Sequence, residues 1–471
     1  MMKIQELIIR CFFAPLAGLT NRMGEKAKNC GFVLSGLGLF FISFLYGSER
    51  YTNVRYLLFF GAGCLFLGLM VLFSLKKELK PIKFDGVLTV VWLLIGVLIG
   101  ISGLRFKLDY LSEAIIFLAA APVFFVVWGN LDHSRLMARL SLTCKISFVA
   151  YLAVSILFFP VSGVRVTSLI FNPNGTAIYL ALVFICLLVD VLNRRKFCMG
   201  MVLEVALLGI SGALIYYSAS RTGLLASLLG AGLTVILYLI RHAGQLRRRL
   251  LLNVLPIILS IGIFFPTTIY LMQATAVVQK AVHQVVVMML PEKENTEAEI
   301  PDQEGDKIPD IQSLDKYVTE VENRLDTDGK SLAQISTGRI DIWKTWLRSL
   351  KLFGNGAEER FYIERVGRYY QNAHMTILTI GYRSGIICGL LYLLFNILAG
   401  LKSVQFALKN RDSDYALMPF AVTIVFGVIS VLTSVNTPFT MMITMYYYFV
   451  QTPLMQHVTW KRNLPEGENN E

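Results

Sequence analysis

The chain has 471 residues, of which 55% are apolar and only 16% charged, and its mean hydropathy is +0.59. That balance lies outside the range of soluble globular domains and excludes a soluble enzyme as the frame for any reading. The formal net charge of +12 is no sign of nucleic acid, because the cations are sorted by loop in the way membrane topology demands.

In chain order, residues 1–31 open with a short apolar core, Cys11 to Leu19, interrupted by Pro15 and Gly18. No small-residue cleavage site follows, so the segment reads as a cytoplasmic amphipathic stretch lying on the membrane and not as a signal peptide. Apolar runs then recur at 32–46, 56–75, 87–104, 114–129, 146–160, 175–192, 201–217, 222–240 and 253–271, and again at 375–399, 416–434 and 437–455. Most are of the roughly 17 to 25 residues that cross a hydrocarbon core. The expected fold is therefore all-α: a polytopic membrane protein with about 12 transmembrane helices. Spans one to nine occupy 32–271, an extracytoplasmic helical loop 272–372, spans ten to twelve 373–455 and a cytoplasmic tail 456–471.

Alternate short loops hold 24 lysines and arginines against 6 in the loops between them. The rich set includes Lys76, Lys77, Lys80, Lys83, Arg194, Arg195, Arg247, Arg248 and Arg249. The positive-inside rule then places both termini in the cytoplasm and sends the long loop, Arg221 and His374 outward. The seven cysteines fall in spans or on the cytoplasmic side, and neither a disulfide framework nor a Cys/His metal spacing is visible.

The long loop has two unlike halves. Glu292 to Asp328 carries 13 acidic and 4 basic residues and reads as a solvated tether. Its Asp326-Thr327-Asp328-Gly329 lacks the later ligands of a calcium loop. From Lys330 to Arg368 the balance reverses to 8 basic and 4 acidic. Ser336-Thr337 can cap a helix running to about Leu352, with Ile340, Trp343, Leu347 and Leu350 on one face and Trp346 beside them. Gly354-Asn355-Gly356 turns the chain, and Phe361, Tyr362, Tyr369 and Tyr370 follow among Arg360, Arg365 and Arg368. Such aromatics and arginines suit a sugar phosphate or a headgroup surface, with Trp343, Tyr369 and Tyr370 the candidate contacts.

Two histidines, His283 and His374, lie on the outer side. His283 sits in an apolar stretch that reads as interfacial packing. His374 opens a span at headgroup depth, where an imidazole can act as a general base. Arg221 is the sole cation of the short turn Tyr217 to Gly223, held between two spans. A guanidinium there binds phosphate oxygens bidentately, and a helix starting at Thr222 adds backbone donors. Arg383 lies nine residues past His374, about 13 Å along a continuous helix. It would be a core charge able either to reach a diphosphate or to pair with an acid such as Asp190 or Glu204.

Together these pieces resemble the O-antigen ligase and polymerase family of polytopic glycosyltransferases over Met201 to Gly400. Ser220-Arg221-Thr222-Gly223 resembles the family's Ser-Arg-x-Gly element, and Gly338-Arg339 with Trp343 its Gly-Arg-x-x-x-Trp element. Gly354-Asn355-Gly356 resembles its Gly-x-Gly. His374 with Leu378, Gly385 and Gly389 resembles the histidine opening the next span, and Asn172-Pro173-Asn174 is a weaker hint. Met375 departs from the asparagine the family often has, and Arg383 from an acid.

The resemblance implies a glycosyltransferase of the bacterial inner membrane, acting in cell-surface polysaccharide biosynthesis. Its donor would be a glycan carried on undecaprenyl diphosphate, and its acceptor another glycan or a lipid. His374 would be the catalytic base, with Arg221, Arg339 and Arg383 the diphosphate-binding residues, and no metal or other cofactor would be needed. Membrane lipids and other polysaccharide-assembly proteins are the implied partners. The competing reading is a transporter or flippase of lipid-linked glycans. Such a protein would break after span six with a cytoplasmic linker and carry several midplane charges, whereas here the interruption follows span nine.

Overall fold

The computed structural model describes residues 2–47, 55–106, 109–158, 169, 170, 172–264, 266–268, 319, 321–323, 325, 338–355, 360–363, 368–370, 372–435, 439 and 441–456. Its helices are α1 (Met2–Ile8), α2 (Ala14–Thr20), α3 (Glu25–Gly47), α4 (Arg55–Leu72), α5 (Gly86–Arg105), α6 (Asp109–Ile115), α7 (Ala121–Gly129), α8 (His133–Phe158), α9 (Pro173–Asn193), α10 (Met199–Tyr217), α11 (Arg221–Arg241) and α12 (Leu246–Arg249). Beyond the long loop come α13 (Arg339–Arg348), a hairpin of β1 (Phe361–Ile363) and β2 (Arg368–Tyr370), then α14 (Thr376–Ser384), α15 (Ile386–Lys409), α16 (Met418–Leu432) and α17 (Met442–Val450). Among the described residues nine helical segments are long and apolar enough to cross a membrane, and two shorter apolar helices, Leu58–Leu72 and Met418–Leu432, accompany them. The protein is an all-helical polytopic membrane bundle.

α9 is its centre. Every residue from Thr176 to Leu192 is buried, as expected of a helix apolar on all faces. Leucines and isoleucines of α11 and α15, such as Leu228, Ile236, Leu390 and Ile397, point outward and are exposed, the surface a bilayer would cover. At the N-terminus Gln5, Ile9, Phe13 and Ala17 are buried at helical spacing while Leu7, Phe12, Leu16 and Leu19 are exposed. The Ile82 amide donates to Gln5 Oε1 (2.8 Å), which ties this segment to the loop before α5.

The two ends of the bundle are fixed by polar contacts. Asp85, the N-cap of α5, pairs with Lys402 near the end of α15. Arg241 closes α11 by donating to the carbonyls of Asn410 and Arg411 (both 2.8 Å). This is the basic end. At the other end lie the starts of α9 and α11, the ends of α5 and α16, and everything from α13 to α14.

Four expectations change. The fifth span begins at His133, so Lys145 sits well inside α8. Its charge is met there by Asp190 and Glu204 (both 2.9 Å), and Arg194 also binds Glu204 (2.6 Å). These two acids are therefore occupied and are not the partners of Arg383. The run 375–399 is not one helix. It breaks at Gly385, whose φ is +101°, and α14 folds back across α15 where Gly381 and Gly389 meet. A Cβ on Gly389 would lie 2.9 Å from Gly381 Cα, although a continuous helix would hold those positions about 12 Å apart.

The third change concerns the long loop, which is not wholly helical. Phe361, Tyr362 and Ile363 alternate in exposure and pair antiparallel with Tyr370, Tyr369 and Arg368, the period-two pattern of a strand. Fourth, 437–455 contributes α17, nine residues long and buried throughout. His283, Ser336, Thr337, Gly356, Arg365, the calcium-like 326–329 and the tail from 457 lie outside the described residues.

Any Cβ at Gly385 would collide with the Leu352 carbonyl, and the positive φ adds backbone strain. Gly385→Val should cost about 2 kcal/mol or more, read as a clear drop in melting temperature in detergent. Gly400→Ala, with nothing within 4 Å of the new methyl, should leave it unchanged.

Candidate active site

Three helix starts converge at the end opposite the basic one. α9 begins after Asn172, whose Oδ1 accepts the amides of Asn174 (2.9 Å) and Gly175 (3.4 Å). α11 begins after Ser220, whose hydroxyl accepts the Gly223 amide (3.4 Å) and donates to Asn174 Oδ1 (3.0 Å). One hydrogen bond thus ties the two N-termini together. Gly223 makes the approach possible, since a Cβ there would strike Ala177 of α9. The preceding Ala219 takes a left-handed backbone, φ +48°, which turns the chain sharply enough to aim Arg221 from the first position of α11.

α13 adds the third start. Gly338 precedes it at φ +76°, a conformation glycine adopts at little cost, and Arg339 follows at once. The Arg339 guanidinium donates through Nη1 to Thr222 Oγ1 (3.3 Å), the residue after Arg221. Burial holds the Arg339 pKa below the usual guanidinium value, and the neighbouring positive charge of Arg221 lowers it further. The two guanidiniums stand close enough for the charge of one to act on the other. The positive ends of the helices point the same way.

α13 reaches the bundle through a small core of its own. Ile342 and Trp346 are buried with Ile363, Tyr370, Ala373, Leu378 and Tyr382, and Trp343, Leu350, Phe361 and Met375 pack at its edge. The expected face of Ile340, Trp343, Leu347 and Leu350 is therefore rotated. Leu347 is exposed, because α13 packs on the hairpin and α14 and not along a flat apolar surface. The helix also ends at Arg348, short of Leu352. Trp346 meets the Phe361 ring at 4.5 Å, and the Trp343 indole N–H is buried with no hydrogen-bond partner among the described residues.

His374 stands on the margin of the same core, immediately before α14. It is half-buried, its ring lies edge-on to Tyr370 at 5.6 Å, and its amide donates to Asn372 Oδ1 (3.0 Å). Its φ is +47°, a conformation that costs an L-residue roughly 1 to 2 kcal/mol and that clusters at functional positions. Tyr369 is exposed beside Tyr362, ring centroids 5.0 Å apart.

The structure thus brings Arg221 to Arg339 directly, and joins Arg339 to Trp343, Tyr370 and His374 through α13 and its core. Arg383 pairs with an acid that the sequence reading did not name. Its Nη1 lies 3.3 Å from Glu113 Oε1 at the start of the α6–α7 span. Its carbonyl accepts the Ser102 hydroxyl (2.8 Å) from the last turn of α5, so it lies at the end of the bundle and not deep in the core. Sequence reasoning named Thr222 as a helix start but not as the partner of Arg339, and it missed Glu113. A lone acid at the head of an apolar run was the available signal for Glu113.

Arg221 and Arg339, with a histidine and aromatic side chains on the cap beside them, thus stand at one end of a polytopic helical membrane bundle. The family comparison agrees: the O-antigen ligase model matches residues 205–393, which include Arg221, Arg339, Trp343, His374 and Arg383. The match covers less than half of the chain and supports its assignment to the O-antigen ligase family. Neither the curated proteins nor the solved structures gave a significant match.

Truncating Trp346 removes the centre of the small core. Trp346→Ala should cost about 3 to 5 kcal/mol locally and expose the α13–α14 region to protease in membrane vesicles, while the spans stay intact.

Proposed function

We propose that the protein is a membrane glycosyltransferase that transfers or polymerises an oligosaccharide carried on undecaprenyl diphosphate, working on the outer face of the bacterial cytoplasmic membrane with both termini inside. The observation that carries this reading is the Arg221–Arg339 pair. Two neighbouring guanidiniums stand at three helix starts, and a diphosphate has the charge and the oxygens to bind both side chains and the helix-start amides.

In the proposed reaction the acceptor hydroxyl oxygen attacks the anomeric carbon of the donor sugar. The new C–O bond forms as the bond from that carbon to the diphosphate oxygen breaks. The electron pair leaves with the diphosphate, whose growing charge Arg221 and Arg339 stabilise, and the hydroxyl proton passes to the His374 imidazole. The exposed Tyr369 offers a stacking surface for the sugar, with Trp343 at the edge of the same core. Tyr370, packed against the imidazole, limits the ring's freedom.

His374→Ala should abolish surface glycan when it replaces the wild type in a deletion strain, with the protein still present in the membrane. Full glycan with the variant would defeat the base assignment and favour a transporter of lipid-linked glycans. Single lipid-linked repeats accumulating in the variant would mark a polymerase, and lipid-linked polymer a ligase.

Inorganic pyrophosphate should raise the melting temperature of the purified wild type by a few degrees. Arg221→Gln and Arg339→Gln should each remove most of that shift. Equal shifts in all three proteins would place the anion elsewhere.

A further inference from the structure

The helix that follows His374 is held at both ends by different parts of the bundle. At its start, the Thr376 hydroxyl donates to the Thr433 carbonyl (3.1 Å) and accepts the Val435 amide (3.0 Å). Thr379 and Ser434 share a hydroxyl hydrogen bond of 2.7 Å. These contacts fasten α14 to the end of α16. At its other end the Tyr382 carbonyl accepts the Asn355 amide (2.8 Å), and the Arg383 carbonyl accepts Ser102. The Arg383 side chain crosses to Glu113. α14 is therefore a bridge laid across the mouth of the bundle between α16 and the α5–α6 pair.

Backbone bonds fix the far end of this bridge, and Leu378 and Tyr382 bury one side of it in the small core. The ion pair adds a directed restraint. Its side chains are 15% and 7% exposed, so solvent screens it little. Nine residues on a helix separate Arg383 from His374, about 13 Å, which puts the pair beyond any group that His374 itself could touch. A small rotation or tilt at the paired end nevertheless moves the residue just before the helix start. Misplacement of a reacting group by about 1 Å can cost as much as 100-fold in rate.

We propose that Glu113 is a positioning residue for the reaction: by pairing with Arg383 it sets the seat of α14 and so the orientation of the His374 imidazole. The proposal rests on the reading of His374 as the base. It separates Arg383 from the two arginines that hold the anion and gives Glu113, in the first turns of a span, a task in turnover.

The test uses the full-length protein in the deletion strain and after purification. Glu113→Gln and Arg383→Gln should each lower glycan transfer about tenfold or more, with normal protein in the membrane. Both should keep the wild-type pyrophosphate shift in melting temperature. The charge swap E113R with R383E should restore most of the transfer.

Loss of the pyrophosphate shift in Arg383→Gln would make Arg383 an anion ligand and overturn the proposal. So would unimpaired transfer in the single variants, or failure of the swap to restore it. If the glutamine variants do not reach the membrane, Glu113→Asp carries the test, since it keeps the charge and withdraws it by one methylene. A several-fold loss of transfer with an intact shift supports the proposal, and unchanged transfer overturns it. Failure of the functional reading shows separately, as full transfer by His374→Ala.

Discussion

The arrangement depends on a backbone reversal at Gly385. An apolar run that could have formed one long span instead stops after Ser384, doubles back and starts again at Ile386. Two carbonyls force glycine at the contact: Leu352 O faces the position a Cβ would take on Gly385, and Arg383 O faces that of Gly354. The turn after α13 and the turn between α14 and α15 therefore press backbone to backbone, sealed by the Ile386 amide on the Lys351 carbonyl (3.1 Å). Without this contact α14 would continue α15 into the bundle. His374 would then begin an isolated span, and Arg383 would be a buried charge well below it.

The reversal also settles what the loop region is for. α13, the β1–β2 hairpin and α14 share one small core that is separate from the core of the spans. That core carries Arg339 at one margin and His374 at another. The spans supply Arg221, presented by the strained turn at Ala219 and locked by the Ser220–Asn174 bond. The mouth is thus assembled from two parts, the spans and the cap. The Arg339–Thr222 bond is one of the contacts that joins them, and the anchoring of α14 on α5, α6 and α16 is another. Left-handed residues occur at both parts, Ala219 on the spans and His374 on the cap, so strain is stored where the two meet.

Ion pairs occur at both ends of the bundle. On the basic side, acids neutralise the buried cations: Lys145 and Arg194 meet Asp190 and Glu204, and Lys402 meets Asp85. At the mouth, Glu113 meets Arg383 in the same way, and Arg221 and Arg339 stand as neighbouring like charges beside helix starts.

The sequence by itself determined the membrane class, most of the span positions, and the identity of the residues that stand out at the mouth. These are properties of runs and single positions: hydropathy over 20 residues, the sorting of lysine and arginine between loops, an isolated arginine in a short turn. It also read Gly338, Gly354 and Gly385 as part of a pattern, though not for the reason that each needs a positive φ or a close backbone neighbour. Tertiary structure alone decided the break at Gly385, the hairpin, the rotated face of α13 and the partner of Arg383. Each depends on a contact between residues far apart in the chain: Leu352 with Gly385, Trp346 with Phe361, Arg383 with Glu113. Hydrophobic periodicity says that a helix has an apolar face, but which neighbour covers that face, and how far the helix turns to meet it, is settled only when the other surface is in place.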